Sequence, residues 1–170
     1  MKKMIKMLTN LYTKLNEAIQ FVNDNKNKGC VCPCCGQIAR MYKRKLNSGM
    51  AIVLLEMYKY HVEKGDNYFH IENHLTKHSI HSGHDWALLV NWDLIREMPK
   101  EKDESSNSKT SGMWKITNKG KLFIKNTINV PTHILMYNNM FEGFSDTQTS
   151  IKESLDKNFN YDELMNEIID

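Results

Sequence analysis

The stretch Leu94-Ile95-Arg96-Glu97, followed after a polar gap by Gly112-Met113-Trp114-Lys115-Ile116-Thr117-Asn118-Lys119-Gly120-Lys121-Leu122-Phe123-Ile124, decides how the middle of this chain is read. It spells a short strand, a long tip, a second strand, and a helix opened by a polar cap. The tip, Lys100 to Ser111, has no apolar residue to bury and is expected to be a mobile connection. Just upstream, Asp85-Trp86-Ala87-Leu88-Leu89-Val90-Asn91-Trp92 reads as a short helix feeding directly into the first strand.

Further toward the N-terminus, Asn47-Ser48-Gly49 offers a cap for a helix through Met50–Tyr58, with Gly65 as its stop. Tyr68-Phe69-His70 reads as a short strand and Ile71 to Lys77 as a second short helix. Ser79-Ile80-His81-Ser82-Gly83 is a turn, and His84 to Trp92 the third helix. This order of helix, short strand, helix, turn, helix and hairpin, with "I-T-x-K-G-x-x-F" at Ile116–Phe123, resembles the winged helix-turn-helix superfamily over about residues 48 to 126. The resemblance implies an α+β fold in which the third helix enters the major groove of duplex DNA and the wing lies against the backbone.

Ile5, Leu8, Leu11, Tyr12, Leu15, Ile19 and Val22 recur at helical spacing, which predicts an amphipathic helix over residues 4–24 that ends in the turn cluster Asn23–Gly29. Its stripe needs a partner: the main domain, or the same helix in a homodimer. Gln37 to Leu46 reads as a basic strand. Beyond Lys125, Val130–Tyr137 alternates as a strand, Asn138-Asn139 is a hairpin turn, Met140–Phe144 returns, and Ser150–Asp170 forms an acidic helix or two. The expected parts are an N-terminal helix (1–29), a cysteine knuckle with the basic strand (30–47), a winged-helix domain (48–128), and a C-terminal hairpin with an acidic helical tail (129–170).

Net charge is only +3, but residues 1–49 carry +8, 50–99 carry −3, 100–141 carry +4 and 142–170 carry −6. Such segregation suits a protein that meets a polyanion on one face. No apolar run is long enough to span a bilayer. The Met1–Lys6 start lacks the apolar core of a signal peptide, so a cytoplasmic protein without a membrane partner is expected.

All four cysteines fall within Cys30–Cys35, too close together for a disulfide framework. Cys32-Pro33-Cys34-Cys35-Gly36 matches the C-P-x-C-G knuckle of zinc ribbons and rubredoxin-like sites, where the spacing turns two sulfurs toward one metal. Structural zinc on Cys32 and Cys35 is expected, with Cys30 as the supplementary thiolate and a histidine as a further donor. His70, His74 and His78 would share one face if that segment is helical. The alternative is a metal-free turn with reduced thiols. In general layout the whole chain resembles small bacteriophage-encoded zinc-knuckle winged-helix proteins of unassigned function. It departs from well-studied winged-helix repressors by the knuckle and by a weakly basic third helix.

For DNA, His81 and His84 would lie near base edges, while Asp85 would repel phosphate. Phosphate contacts would come from Arg40, Lys43, Arg44 and Lys45 on the strand, Lys77, the wing residues Lys100, Lys102 and Lys109, and Lys119, Lys121 and Lys125. Trp86, Leu89 and Trp92 read as core. Nothing pairs a nucleophile with a base, cradles phosphate in a glycine loop, or pairs carboxylates, so an enzyme is not expected. The expected partner is double-stranded DNA, with the chain acting as a transcriptional regulator. The alternative partner is a host protein, with the chain inhibiting or redirecting a nucleic-acid or defence complex.

Overall fold

The computed structural model describes residues 14–74, 83–99, 112–157 and 159–169. The start of the expected 4–24 helix, the turn before Gly83 and the Lys100–Ser111 tip lie outside them. The chain divides into two compact units, one of Met1–Arg44 with Leu135–Gly143 and one of Lys45–Ile134 with Phe144–Asp170. The architecture is mixed α and β with small antiparallel sheets, as an α+β reading requires.

The larger unit is organised by helix α2, Ser48–Lys64. The Asn47 side chain caps it by accepting from Met50 N at 3.0 Å, and Gly65 ends it with φ of 80°. Eight residues of α2 are buried, including every position from Met50 to Leu55. A helix start that is apolar all round must be enclosed on all sides. Elements that follow in the chain enclose it: the 83–92 segment, the central strand of the sheet, and the later helices. Each fully buried side chain of this size contributes roughly 1.5–3 kcal/mol, so α2 anchors the unit.

Three strands form its principal sheet: β4 (Phe69–His70), β5 (Ile95–Glu97) and β6 (Met113–Ile116), in the order β4-β6-β5. Both pairings are antiparallel, with Phe69 opposite Trp114 and Ile95 opposite Ile116. Met98 N donates to Met113 O at 2.8 Å, which extends the β5–β6 hairpin by one rung toward its tip. Helix α3 (Asn118–Ile124) follows at once, capped by the Thr117 hydroxyl, which accepts from Gly120 N at 3.0 Å.

The expected third helix is present as a 3-10 helix over Gly83–Trp92. Runs of this length are uncommon for 3-10 geometry, but three residues per turn place positions i, i+3 and i+6 along one edge. Trp86, Leu89 and Trp92 have that spacing and are 5%, 0% and 0% exposed. They are core, as their residue types suggest. Trp86 meets Trp114 edge-on at 5.3 Å, and Trp92 Nε1 donates to Pro131 O at 2.6 Å. The second short helix is a single 3-10 turn, Ile71–Asn73, and His74 follows it.

Strands β7 (Val130–Pro131) and β10 (Gln148–Thr149) pair antiparallel in the same unit. Ser150 and Glu153 form a reciprocal capping box on the short helix α4, Ile151–Ser154. Helix α5 (Tyr161–Ile169) closes the unit, with the Tyr161 hydroxyl donating to Ile124 O at 2.7 Å.

In the smaller unit, helix α1 (Leu15–Asn25) buries Ala18 and Val22 while Leu15 and Ile19 face outward. Strands β1 (Cys30–Val31) and β2 (Ile38–Ala39) pair antiparallel, Cys30 opposite Ala39. The single strand expected over Gln37–Leu46 is instead two, β2 and β3 (Tyr42–Lys45). Met41 N donates to Lys26 O at 2.8 Å between them, turning the chain away from the β1–β2 ladder. Asn138 and Asn139, both at positive φ (50° and 60°), join β8 (His133–Tyr137) to β9 (Met140–Phe144). Two consecutive positive φ values are what the hairpin turn expected there requires. The third sheet has the order β3-β8-β9. Among the described residues, no helix is long and apolar enough to cross a membrane.

Candidate functional site

The thiols lie in the turn between β1 and β2. Cys32 N donates to Gln37 O at 2.8 Å and Gly36 N to Cys32 O at 2.9 Å, which folds residues 32–37 into a tight knuckle. Gly36 sits at φ of 72°, a conformation that side chains disfavour. This wraps the backbone N–H groups of Cys35 and Cys34, and the Cys35 thiol, around the Cys32 sulfur, and these donors hold its pKa below the usual thiol value. Donors aimed at a sulfur favour its thiolate, the form that binds metal.

The same chemistry tests the zinc expectation. Cys32 and Cys35 bring two sulfurs together as a tetrahedral site needs, but such a site takes four ligands. Among the described residues, no three histidine, cysteine or carboxylate side chains are grouped closely enough to hold a metal ion, so Cys30 is not gathered with the pair. The histidine row does not form a single helical face within the described residues. His70 lies on β4, against Gly112, where an added Cβ would meet His70 Nε2 at 2.8 Å. His74 packs edge-on against Tyr60 and Phe69. The donor set therefore fits half of a zinc site.

The second cluster lies in the larger unit, at the base of the β5–β6 hairpin. Asp66, just past the end of α2, accepts from Lys115 Nζ of β6 at 2.9 Å and from Lys121 Nζ of α3 at 3.1 Å. His61 Nδ1 stands 3.7 Å from the same carboxylate, and Lys115 also lies over the Tyr68 ring. The hydrogen bond from Lys115, then that from Lys121, lowers the Asp66 pKa from 3.8 to about 2. Two ammonium groups on one carboxylate leave a net positive charge. The Asp66 side chain is 53% exposed, so screening keeps each pair within about 1 kcal/mol.

The expected DNA-contact residues do not form one described patch. Arg40, Lys43 and Arg44 are exposed in the smaller unit, with the Arg40 guanidinium stacked over the Tyr42 ring at 4.8 Å. Lys45, Lys119 and Lys121 belong to the larger unit, where Lys45 is exposed, Lys119 half-buried and Lys121 held by Asp66. Lys77, His81, Lys100, Lys102 and Lys109 lie outside the described residues. His84 stands in the first turn of the 3-10 helix. Sequence reading missed Asp66, Lys115 and His61 because their partners come from distant positions in the chain. The one local signal was Asp66 directly after the Gly65 helix stop.

No protein-family model, curated protein or solved structure matches this chain.

Proposed function

We propose that residues 48–126 form a winged-helix module that binds duplex DNA, and that the protein regulates transcription in the manner of small phage-encoded DNA-binding proteins. One observation carries the reading. The 3-10 helix Gly83–Trp92 runs into the β5–β6 hairpin, β4 completes the sheet on β6, and the capped helix α3 follows. In this reading the 83–92 segment presents its start to the major groove, and the hairpin is the wing. Lys115, Lys119, Lys121 and Lys125 then meet phosphates, with the first and third held side by side by Asp66. Arg40, Lys43 and Arg44 add phosphate contacts of their own.

The test is a mobility shift of random-sequence duplex at about 50 mM salt, where phosphate contacts are strongest. Binding of all sequences at comparable affinity, weakened by replacing Arg40, Lys43, Arg44 and Lys45 together, is expected. A folded protein that shifts no duplex at this salt rules the reading out.

A second reading rests on the charge already spent inside the cluster. Asp66 occupies Lys115 and Lys121, and α5 displays Asp162, Glu163 and Glu167 to solvent. A module of this kind docks on a host protein that itself handles nucleic acid, with the acidic tail standing in for phosphates. It is favoured where duplex binding fails and a stable complex forms with one host protein.

A further inference from the structure

We infer that Cys32 and Cys35 are half of a metal site that a second copy of this chain completes, giving one zinc held by four thiolates across a twofold axis. The two sulfurs already converge, and the knuckle's N–H groups are spent on one of them, as in a preformed ligand pair rather than a solvent-exposed turn. Tetrahedral zinc needs two further donors. The described residues of the chain gather no third ligand around the pair. A twofold-related knuckle supplies two identical ones, since an isologous contact presents the same residues from both sides.

The surroundings fit that occupant. A cleft of about 490 Å³ holds the cysteines together with Leu15, Ile19 and Ile38. These three apolar side chains are 70%, 53% and 74% exposed. Leu15 and Ile19 are one turn apart on α1 and turn away from the buried Ala18–Val22 side, which leaves the helix with a second apolar face. Such a rim around a two-thiolate pair is self-complementary: the copy that brings the missing sulfurs also covers Leu15, Ile19 and Ile38. The assignment is independent of the DNA reading, because it involves the smaller unit alone.

Zinc binding as proposed exchanges two thiol protons per chain for the metal, four per site, with no redox step. The test is titration of the metal-free, reduced protein with Zn²⁺ alone, followed by light scattering and by proton release. Co²⁺ serves as a second probe, for its tetrahedral tetrathiolate absorption. The expected results are one metal per two chains, a doubling of mass on loading, and a tetrathiolate spectrum. Cys32→Ser or Cys35→Ser should abolish both uptake and dimerisation, while Cys30→Ser and Cys34→Ser retain them. Ile19→Glu, on an exposed position that does not disturb folding, should weaken metal-driven dimerisation at least tenfold. One metal bound per monomeric chain, a spectrum with nitrogen ligands, or no metal taken up by folded protein would each overturn the proposal.

Discussion

Gly120 sits so close to the Leu94 carbonyl oxygen that no side chain fits between them: a Cβ there would overlap that oxygen and crowd Ile116 Cγ1 as well. The contact lets α3 cross directly over the start of β5, with Phe123 and Ile124 fully buried below. The strand, the helix and the glycine of the 94–124 stretch are therefore one packed unit.

Gly120→Ala puts this to the test. An alanine gains roughly 1 kcal/mol over glycine in an unconstrained helix. Here the overlap is with backbone, which cannot rotate away, and overpacking of this kind costs about 1–3 kcal/mol or more. A net loss of about 2 kcal/mol in urea unfolding is expected. A stabilised variant would show that α3 does not lie against Leu94.

The Thr117 hydroxyl has two functions. It accepts from Gly120 N as the cap of α3 and donates to Asp93 O at 2.6 Å, at the turn where Asp93 takes a φ of 57°. Thr117→Val removes both, leaving a cap N–H and a carbonyl unpaired next to the core. Loss of a cap costs about 1 kcal/mol and an orphaned buried group about 1–3 kcal/mol, so a loss near 3 kcal/mol is expected. Thr117→Ser should recover most of it. Equal losses in the two variants would assign the effect to the methyl group instead.

Much of this region was legible because its signals are local. Asn47, Gly65, Thr117 and the Asn138-Asn139 pair each act on backbone groups within a few residues, so their types alone predicted caps, a stop and a turn. The alternation that marked β5 and β6 also set their register. The 3-10 character of Gly83–Trp92 was not legible, because a spacing of three between Trp86, Leu89 and Trp92 suits an α-helix almost as well over ten residues. Nor was the outward turn of Leu15 and Ile19, since a stripe shows that a helix has an apolar side but not which neighbour covers it. The Asp66 cluster joins residues 49 and 55 positions apart, and no short pattern encodes that pairing.

Asp66→Asn separates stability from charge. The folded-state carboxyl pKa is lowered, from 3.8 to about 2, so the stability it contributes is present above pH 4 and is lost as pH falls through 2. With the side chain half exposed, that contribution is under about 1 kcal/mol. The variant should unfold almost as the parent does at neutral pH and lose less between pH 4 and pH 2. A large neutral-pH loss would mean that the carboxylate does more than hold the two lysines.

The same substitution frees Lys115 and Lys121. In the DNA reading it should raise affinity for random duplex by about tenfold at low salt and steepen the log–log salt slope by about one to two, one for each phosphate gained. Unchanged affinity and slope would place both lysines outside the interface.

The most direct measurement of the central claim is the affinity for random duplex between about 50 and 200 mM salt. Contact with roughly five to eight phosphates predicts a fall of about 10³-fold over that range. A folded protein with no measurable binding at the low-salt end, or with affinity that salt leaves unchanged, would contradict the account.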